Sequence, residues 1–210
     1  RDVEEFVERW KGEVTGDCEE QVVIDEELDG VRLRGELGPF INGRQVLFRC
    51  VKEAKGKDRV RSWIRHLFSS AFMDHEKETR FYSLDKKFIS LQSLPSDSAR
   101  KLISNLITLY KKGMLKPLPF FPESSYAFAR NQAASLRDEK SEEAKNNHSK
   151  GIHEARKKWN PSKYNKGEGE DSANQLCFRG EPFKDTEFDQ IACEVYHHFI
   201  KASEAGKMEA

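Results

Sequence analysis

The chain is 210 residues long, and its 36 Lys and Arg balance 36 Asp and Glu to a formal net charge of zero. Charged residues make up 34% and hydrophobic ones 37%, and no apolar run approaches the roughly 18–20 residues of a membrane span, which excludes a helical membrane protein. The 14 Phe, 5 Tyr and 3 Trp exclude full disorder, and the neutral balance excludes bulk attraction to nucleic acid, so any such contact must be a local patch.

The chain opens Arg1-Asp2-Val3, without an initiator Met or signal peptide, as expected of a piece of a longer chain. The four cysteines, Cys18, Cys50, Cys177 and Cys193, show no C-x-x-C, and are expected as reduced, mostly buried thiols in a cytoplasmic protein.

Residues 1–11 predict a short helix with Val3, Phe6, Val7 and Trp10 on one face. Gln21 to Asp25 is β-prone, and Val31, Leu33 and Leu37 alternate with Arg32, Arg34 and Glu36 as a half-buried strand does. Asp29-Gly30 predicts a tight turn between the two. Val46-Leu47-Phe48, with Cys50 and Val51, reads as a central strand, reached through a hairpin loop over 38–44.

Val60, Trp63, Ile64, Leu67, Phe68 and Ala71 form one helical apolar stripe, with Asp58 as N-cap. Short β-prone runs follow at Arg80–Ser83 and Phe88–Leu91. Residues 97–112 predict a helix capped by Ser96 and ended by Gly113. Leu118-Pro119-Phe120-Phe121-Pro122 is too proline-rich for a helix and too apolar for water, so it is expected as an irregular segment pinned to the core. From Ser125 to Trp159 the chain is helix-prone, and its charged middle predicts a solvated helix with one narrow packed face. Residues 160–174 predict a mobile loop, and a last helix runs from about Glu187, with Thr186 and Asp189 resembling a capping box. The expected class is α/β (α+β): one domain over 1–210, a small mixed β-sheet flanked by helices, with a helical C-terminal extension.

Phosphate-binding glycine motifs are absent, and no cofactor is expected. Metal-site signals are weak: Cys193 and His197 are four apart on one helix, but two ligands do not make a site, and His66, His148 and His153 read as structural or surface residues. A strand ending near Glu36, another ending near Glu53-Ala54-Lys55 and then a helix follow the order of a PD-(D/E)XK nuclease, in which carboxylates hold a metal ion and a Lys orients water. The acid-x-Lys pattern also occurs at Asp85/Lys87, Asp138/Lys140 and Glu143/Lys145, so alone it says little. Lys52, Lys55, Lys57, Arg59, Arg61 and Arg65 concentrate charge where the central strand passes into its helix, a place that could hold a phosphate backbone. Arg61 and Arg65 share a helix face, and with Lys55 and Lys57 they are the candidate contact.

Three segments carry a family resemblance. Gly56-Lys57-Asp58-Arg59-Val60-Arg61-Ser62-Trp63-Ile64-Arg65-His66-Leu67 resembles a helix of the gamma-subunit (RecC) family of exodeoxyribonuclease V. Lys116-Pro117-Leu118-Pro119-Phe120-Phe121-Pro122 is similar to that family's P-L-P-F-F-P segment, and Leu176-Cys177-Phe178-Arg179-Gly180 to its L-x-F-R-G turn. Leu33-Arg34-Gly35-Glu36-Leu37 also matches a strand of the family.

The resemblance implies a C-terminal domain with a PD-(D/E)XK nuclease-like core that has lost its active site. It implies a bacterial, cytoplasmic helicase–nuclease, RecBCD, with the beta and alpha subunits and double-stranded or forked DNA ends as partners. It implies a role in splitting the duplex with a protruding pin during double-strand-break repair and recombination. An active relative would carry an Asp where Gly38 stands and an acid-x-Lys where Phe48-Arg49-Cys50 stands. On this reading the fragment is a non-catalytic DNA-handling and scaffold domain, with no metal. The alternative is an active metal-dependent nuclease using Glu36, Glu53 and Lys55.

Overall fold

The computed structural model describes residues 2–13, 16, 18–19, 21–73, 78–84, 88–133, 142–163, 166–184 and 186–208. The chain divides into two compact units. The first holds residues 1–54, 61–107 and 202–210, and the second holds 55–60 and 108–201.

The first unit carries the strands. After helix α1 (Asp2–Glu13) come β1 (Cys18–Glu19), β2 (Val22–Leu28), β3 (Val31–Leu37), β4 (Phe40–Ile41) and β5 (Arg44–Phe48). Helix α2 (Gly56–Phe72) leads to β6 (Thr79–Tyr82) and β7 (Phe88–Leu91), and α3 (Ser96–Gly113) follows. The five-stranded sheet has the order β1-β4-β5-β6-β7. It is mixed: β5 pairs β6 in parallel through the α2 crossover, and the other pairs are antiparallel. The class is therefore a mixed α/β one, with small sheets flanked by helices.

Two expectations change. β2 and β3 form a separate two-stranded ladder, and β4 lies inside the expected 38–44 loop, turning through Asn42-Gly43 into β5. Both Asn42 and Gly43 have positive φ, as do Asp29 and Gly30 in the predicted turn. That is the conformation in which two-residue hairpin turns match strand twist.

Pleat alternation sorts the sheet. Phe40, Gln45, Thr79 and Phe81 lie on one face, and Ile41, Val46 and Tyr82 on the other. The second face packs with Phe6 of α1 and with Phe88. On the first, Phe40 joins Ile24 and Leu37 of the hairpin base, with Phe68 and Phe72 of α2 packed against them. Trp63 is buried as its spacing predicts, whereas Ile64, on the same predicted stripe, is 38% exposed. α3 begins at Ser96, but the Ser96 hydroxyl does not cap it. That Oγ donates to the Ala71 carbonyl at 2.9 Å, and the Ala99 amide bonds Pro95 O.

The second unit is helical. It contains α4 (Pro122–Gln132), α5 (Glu142–Trp159), α6 (Ser172–Cys177) and most of α7 (Thr186–Met208). Its core is a set of aromatics around Phe121, which meets Trp159, Phe178, Phe183 and Phe188 with ring centroids 4.5–6.4 Å apart. The proline-flanked segment is thus pinned as expected, with Phe121 only 1% exposed. α5 buries one narrow face, Gly151, Ile152, Ala155 and Trp159, against this core.

Within 160–174, expected as a mobile loop, lie a 3-10 turn at Glu168–Glu170 and the start of α6, capped by the Asp171 side chain. Cys50 and Cys177 are exposed and Cys193 is half-buried, which corrects the expectation of mostly buried thiols. The reason is placement: Cys50 lies beyond the end of β5 and Cys177 ends α6. The side chain of Cys18 lies outside the described residues.

Candidate nucleic-acid interface

The basic residues singled out in the sequence do not share one fate. Lys55 and Lys57, in the second unit, are exposed at the start of α2. Arg61, in the first unit, is exposed as well. Arg65 is half-buried, and its Nη2 donates to the Gly38 carbonyl at 2.9 Å and more weakly to the Glu36 carbonyl at 3.3 Å. It ties α2 to the end of β3. Arg59 stacks over the Tyr126 ring at 4.2 Å, and Lys52 is exposed in the bend after β5.

The start of α2 is built by carboxylates. Asp58 is not the N-cap: the helix begins at Gly56, and Asp58 Oδ2 reaches back to accept from the Lys55 amide at 3.1 Å. This is the returning half of a capping box. The Gly56 amide donates to Glu123 Oε1 at 2.5 Å. One helix on, Glu168 accepts from the Glu123 and Ser124 amides at 2.9 and 2.8 Å and from the Ser124 hydroxyl at 2.7 Å. Burial pushes the Glu168 carboxyl above the usual carboxylate range, against the pull of these hydrogen bonds. Tyr196 Oη lies 3.0 Å from the Gly56 carbonyl and 2.9 Å from the Pro122 carbonyl, and burial raises its pKa.

Gly38 follows β3 with φ +125°, a conformation that residues with a Cβ rarely adopt. The next carbonyl, Pro39 O, accepts from Val46 N at 2.9 Å, so this bend lies beside β5. Phe48 is the last residue of β5, 41% exposed and stacked on Tyr82 at 6.2 Å, and the exposed Cys50 lies two residues past the strand. Glu36 stands exposed in the β2–β3 ladder opposite Val23, and Glu53 is exposed in the bend before α2. Of the other acid-x-Lys pairs, Asp85/Lys87 and Asp138/Lys140 lie outside the described residues. Among the described residues, no group of three or more His, Cys, Asp or Glu is arranged to hold a metal ion.

Sequence reasoning missed a buried polar chain on the α2 face of the sheet. His66 Nδ1 lies 3.0 Å from Thr79 Oγ1, and Thr79 Oγ1 donates to Gln45 Oε1 at 3.2 Å. All three side chains are fully buried. Burial holds His66 near pKa 4, opposed by a hydrogen bond to the Gln92 backbone, so the ring is neutral at pH 7. The only sequence signal was three polar residues at otherwise core-facing positions.

On the hairpin, Asp25 takes Arg32 at 2.7 Å and Arg34 at 2.8 Å, and these guanidiniums hold its carboxyl down to about 2. Among the described residues no helix is long and apolar enough to cross a membrane.

No curated protein matches the sequence. A family model does: the strands, the α2 crossover, α3 and α4 all fall within residues 1–133, over which the chain matches the RecC C-terminal domain, and the chain belongs to that family.

Proposed function

We propose that this chain is a non-catalytic DNA-handling and scaffold domain of the gamma subunit within RecBCD, the exodeoxyribonuclease V helicase–nuclease. Its partners are the beta and alpha subunits and forked or double-stranded DNA ends, and its setting is the bacterial cytoplasm. Membership of the RecC C-terminal domain family supports the setting. The helix α1, the parallel β5–α2–β6 crossover and the flanking antiparallel strands are consistent with a PD-(D/E)XK-like core.

The observation that carries the non-catalytic reading is Gly38. A metal-binding Asp there would need a backbone at φ +125° that carries a Cβ poorly, and Phe48 offers no oxygen ligand in place of the second acid. The DNA contact is to phosphates, independent of sequence, from Lys55, Lys57 and Arg61. Arg65 was a candidate beside them, and its bonds to the Gly38 and Glu36 carbonyls make it the weakest of the four.

The test is assembly of the full complex with wild-type and Lys57→Gln/Arg61→Gln gamma chains, followed by forked-DNA binding across a salt series. Each phosphate contact removed lowers the slope of log K against log salt by about 0.9. Isolated chain incubated with Mg²⁺ or Mn²⁺ leaves DNA intact. Cleavage that disappears in Glu53→Ala would establish the nuclease alternative built on Glu36, Glu53 and Lys55.

A further inference from the structure

The second unit carries a further run of positive charge beyond the one the motifs point to. Residues 144–166 hold seven Lys and Arg (Lys145, Lys150, Arg156, Lys157, Lys158, Lys163, Lys166) against one acid, Glu154, a net of +6 in a chain whose total is zero. Five of them lie on α5, which also carries Glu142 and Glu143 at its start, so the helix as a whole holds five Lys and Arg against three acids.

Two of them, Lys150 and Lys157, share the side turned away from the core. Gly151, Ile152, Ala155 and Trp159 face the aromatic core, and a Cβ on Gly151 would come within 2.9 Å of Phe128 Cδ2. At about 100° per residue, Asn146, Lys150, His153 and Lys157 fall within about 60° of each other on the opposite side. All but the Asn146 amide are cations or titratable rings, and all four are exposed. Here one carboxylate serves two lysines: Glu154 binds Lys157 Nζ at 2.7 Å and lies four residues from Lys150.

We infer that the solvent face of α5, centred on Lys150, His153 and Lys157, binds the phosphodiester backbone of DNA. Lys150 and Lys157 are seven residues apart, about 10 Å along the helix axis. That is the rise of about three nucleotides of one duplex strand, so both ammonium groups can reach phosphates of a single strand. The side chains form no ordered base-reading surface, so the contact is independent of sequence. Arg156 does not belong to it, because its guanidinium is held by Glu181. The inference deepens the DNA-handling reading by adding a second contact surface to it.

The experiment measures binding of the full chain to labelled forked, duplex and single-stranded DNA over a salt series. Lys150→Gln/Lys157→Gln is compared with Lys101→Gln/Lys112→Gln, which removes the same charge from exposed lysines of α3. The α5 variant loses about two units of salt slope, the α3 variant keeps the wild-type slope, and the strand dependence tells whether duplex or single strand supplies the phosphates. Glu154→Gln releases Lys157 and tightens binding by about two- to fivefold.

Equal losses in both double variants would overturn the inference, as would weaker binding in Glu154→Gln. An unchanged slope with lost co-purification of the beta or alpha subunit would assign the face to a protein partner instead. Lys57→Gln/Arg61→Gln, measured alongside, separates the two readings. If it alone loses slope, the α5 surface fails and the proposed function stands, and if wild type binds no DNA, both fail.

Discussion

The Gly56 amide donates to the Glu123 carboxylate at 2.5 Å, and the α-carbon of that glycine is pressed against the neighbouring backbone. A Cβ at position 56 would come within 2.1 Å of the Pro122 carbonyl oxygen and 2.7 Å of the Glu123 nitrogen. Both are main-chain atoms, so no rotamer change relieves the clash. Gly→Ala inside a helix ordinarily gains up to about 1 kcal/mol. Here Gly56→Ala should instead destabilise by about 1–3 kcal/mol, as overpacking does. Urea unfolding of the two chains at one pH checks the sign.

Glu168 supports the same region from the other side. It accepts two backbone amides and a hydroxyl at the start of α4, where the first-turn amides have no partner within their own helix. Glu168→Ala should cost about 1–2 kcal/mol, the usual loss on removing a helix cap. Glu168→Gln should recover part of it, since its amide oxygen can accept at least one of these bonds. A Glu168→Ala chain with the wild-type Tm would contradict the capping role.

Trp63 is 2% exposed and stacks on His66 with centroids 5.5 Å apart. It is a core anchor, and Trp63→Ala should cost on the order of 3–5 kcal/mol. Thermal or urea unfolding reads this directly. Tryptophan fluorescence quenching by iodide in the native state should leave this indole protected.

His66 sets a pH dependence. Its folded-state pKa is depressed to about 4 by burial, against about 6.5 when unfolded. Between these values the unfolded chain binds the extra proton, so stability rises with pH. The contribution is complete above about pH 6.5 and is lost as the pH falls toward 4, to the extent of about 3 kcal/mol. His197 and His198 shift in the same direction through burial and their neighbouring positive charges, so the informative quantity is a difference. The slope of stability against pH between 4 and 6.5 should be shallower in His66→Gln than in wild type.

Several elements were legible in the residues alone. The Val60–Ala71 stripe and the helices expected over 97–112 and from about Glu187 all correspond to helices that form, because these signals come from near neighbours and survive any tertiary setting. Asp29-Gly30 turns where the dipeptide demands it. The motifs around Trp63 and Phe121 lie within or beside these elements, which is why the family could be read from the sequence. The basic cluster near α2 was legible as composition, and the basic run over 144–166 was equally present but masked by the acids at the start of α5.

What the residues did not disclose is who partners whom. Glu123 serves an amide 67 positions away, Glu168 serves amides 45 and 44 positions away, and Arg65 turns to carbonyls 29 and 27 positions back. Those choices supplied the partners at the starts of α2 and α4 and turned Arg65 toward protein. Local spacing by itself determined where the chain coils and extends, and which family it belongs to. Only the tertiary structure decided which polar groups meet, because a helix end or strand edge leaves unpaired groups whose partners are selected by chain closure over tens of residues and not by their neighbours in sequence.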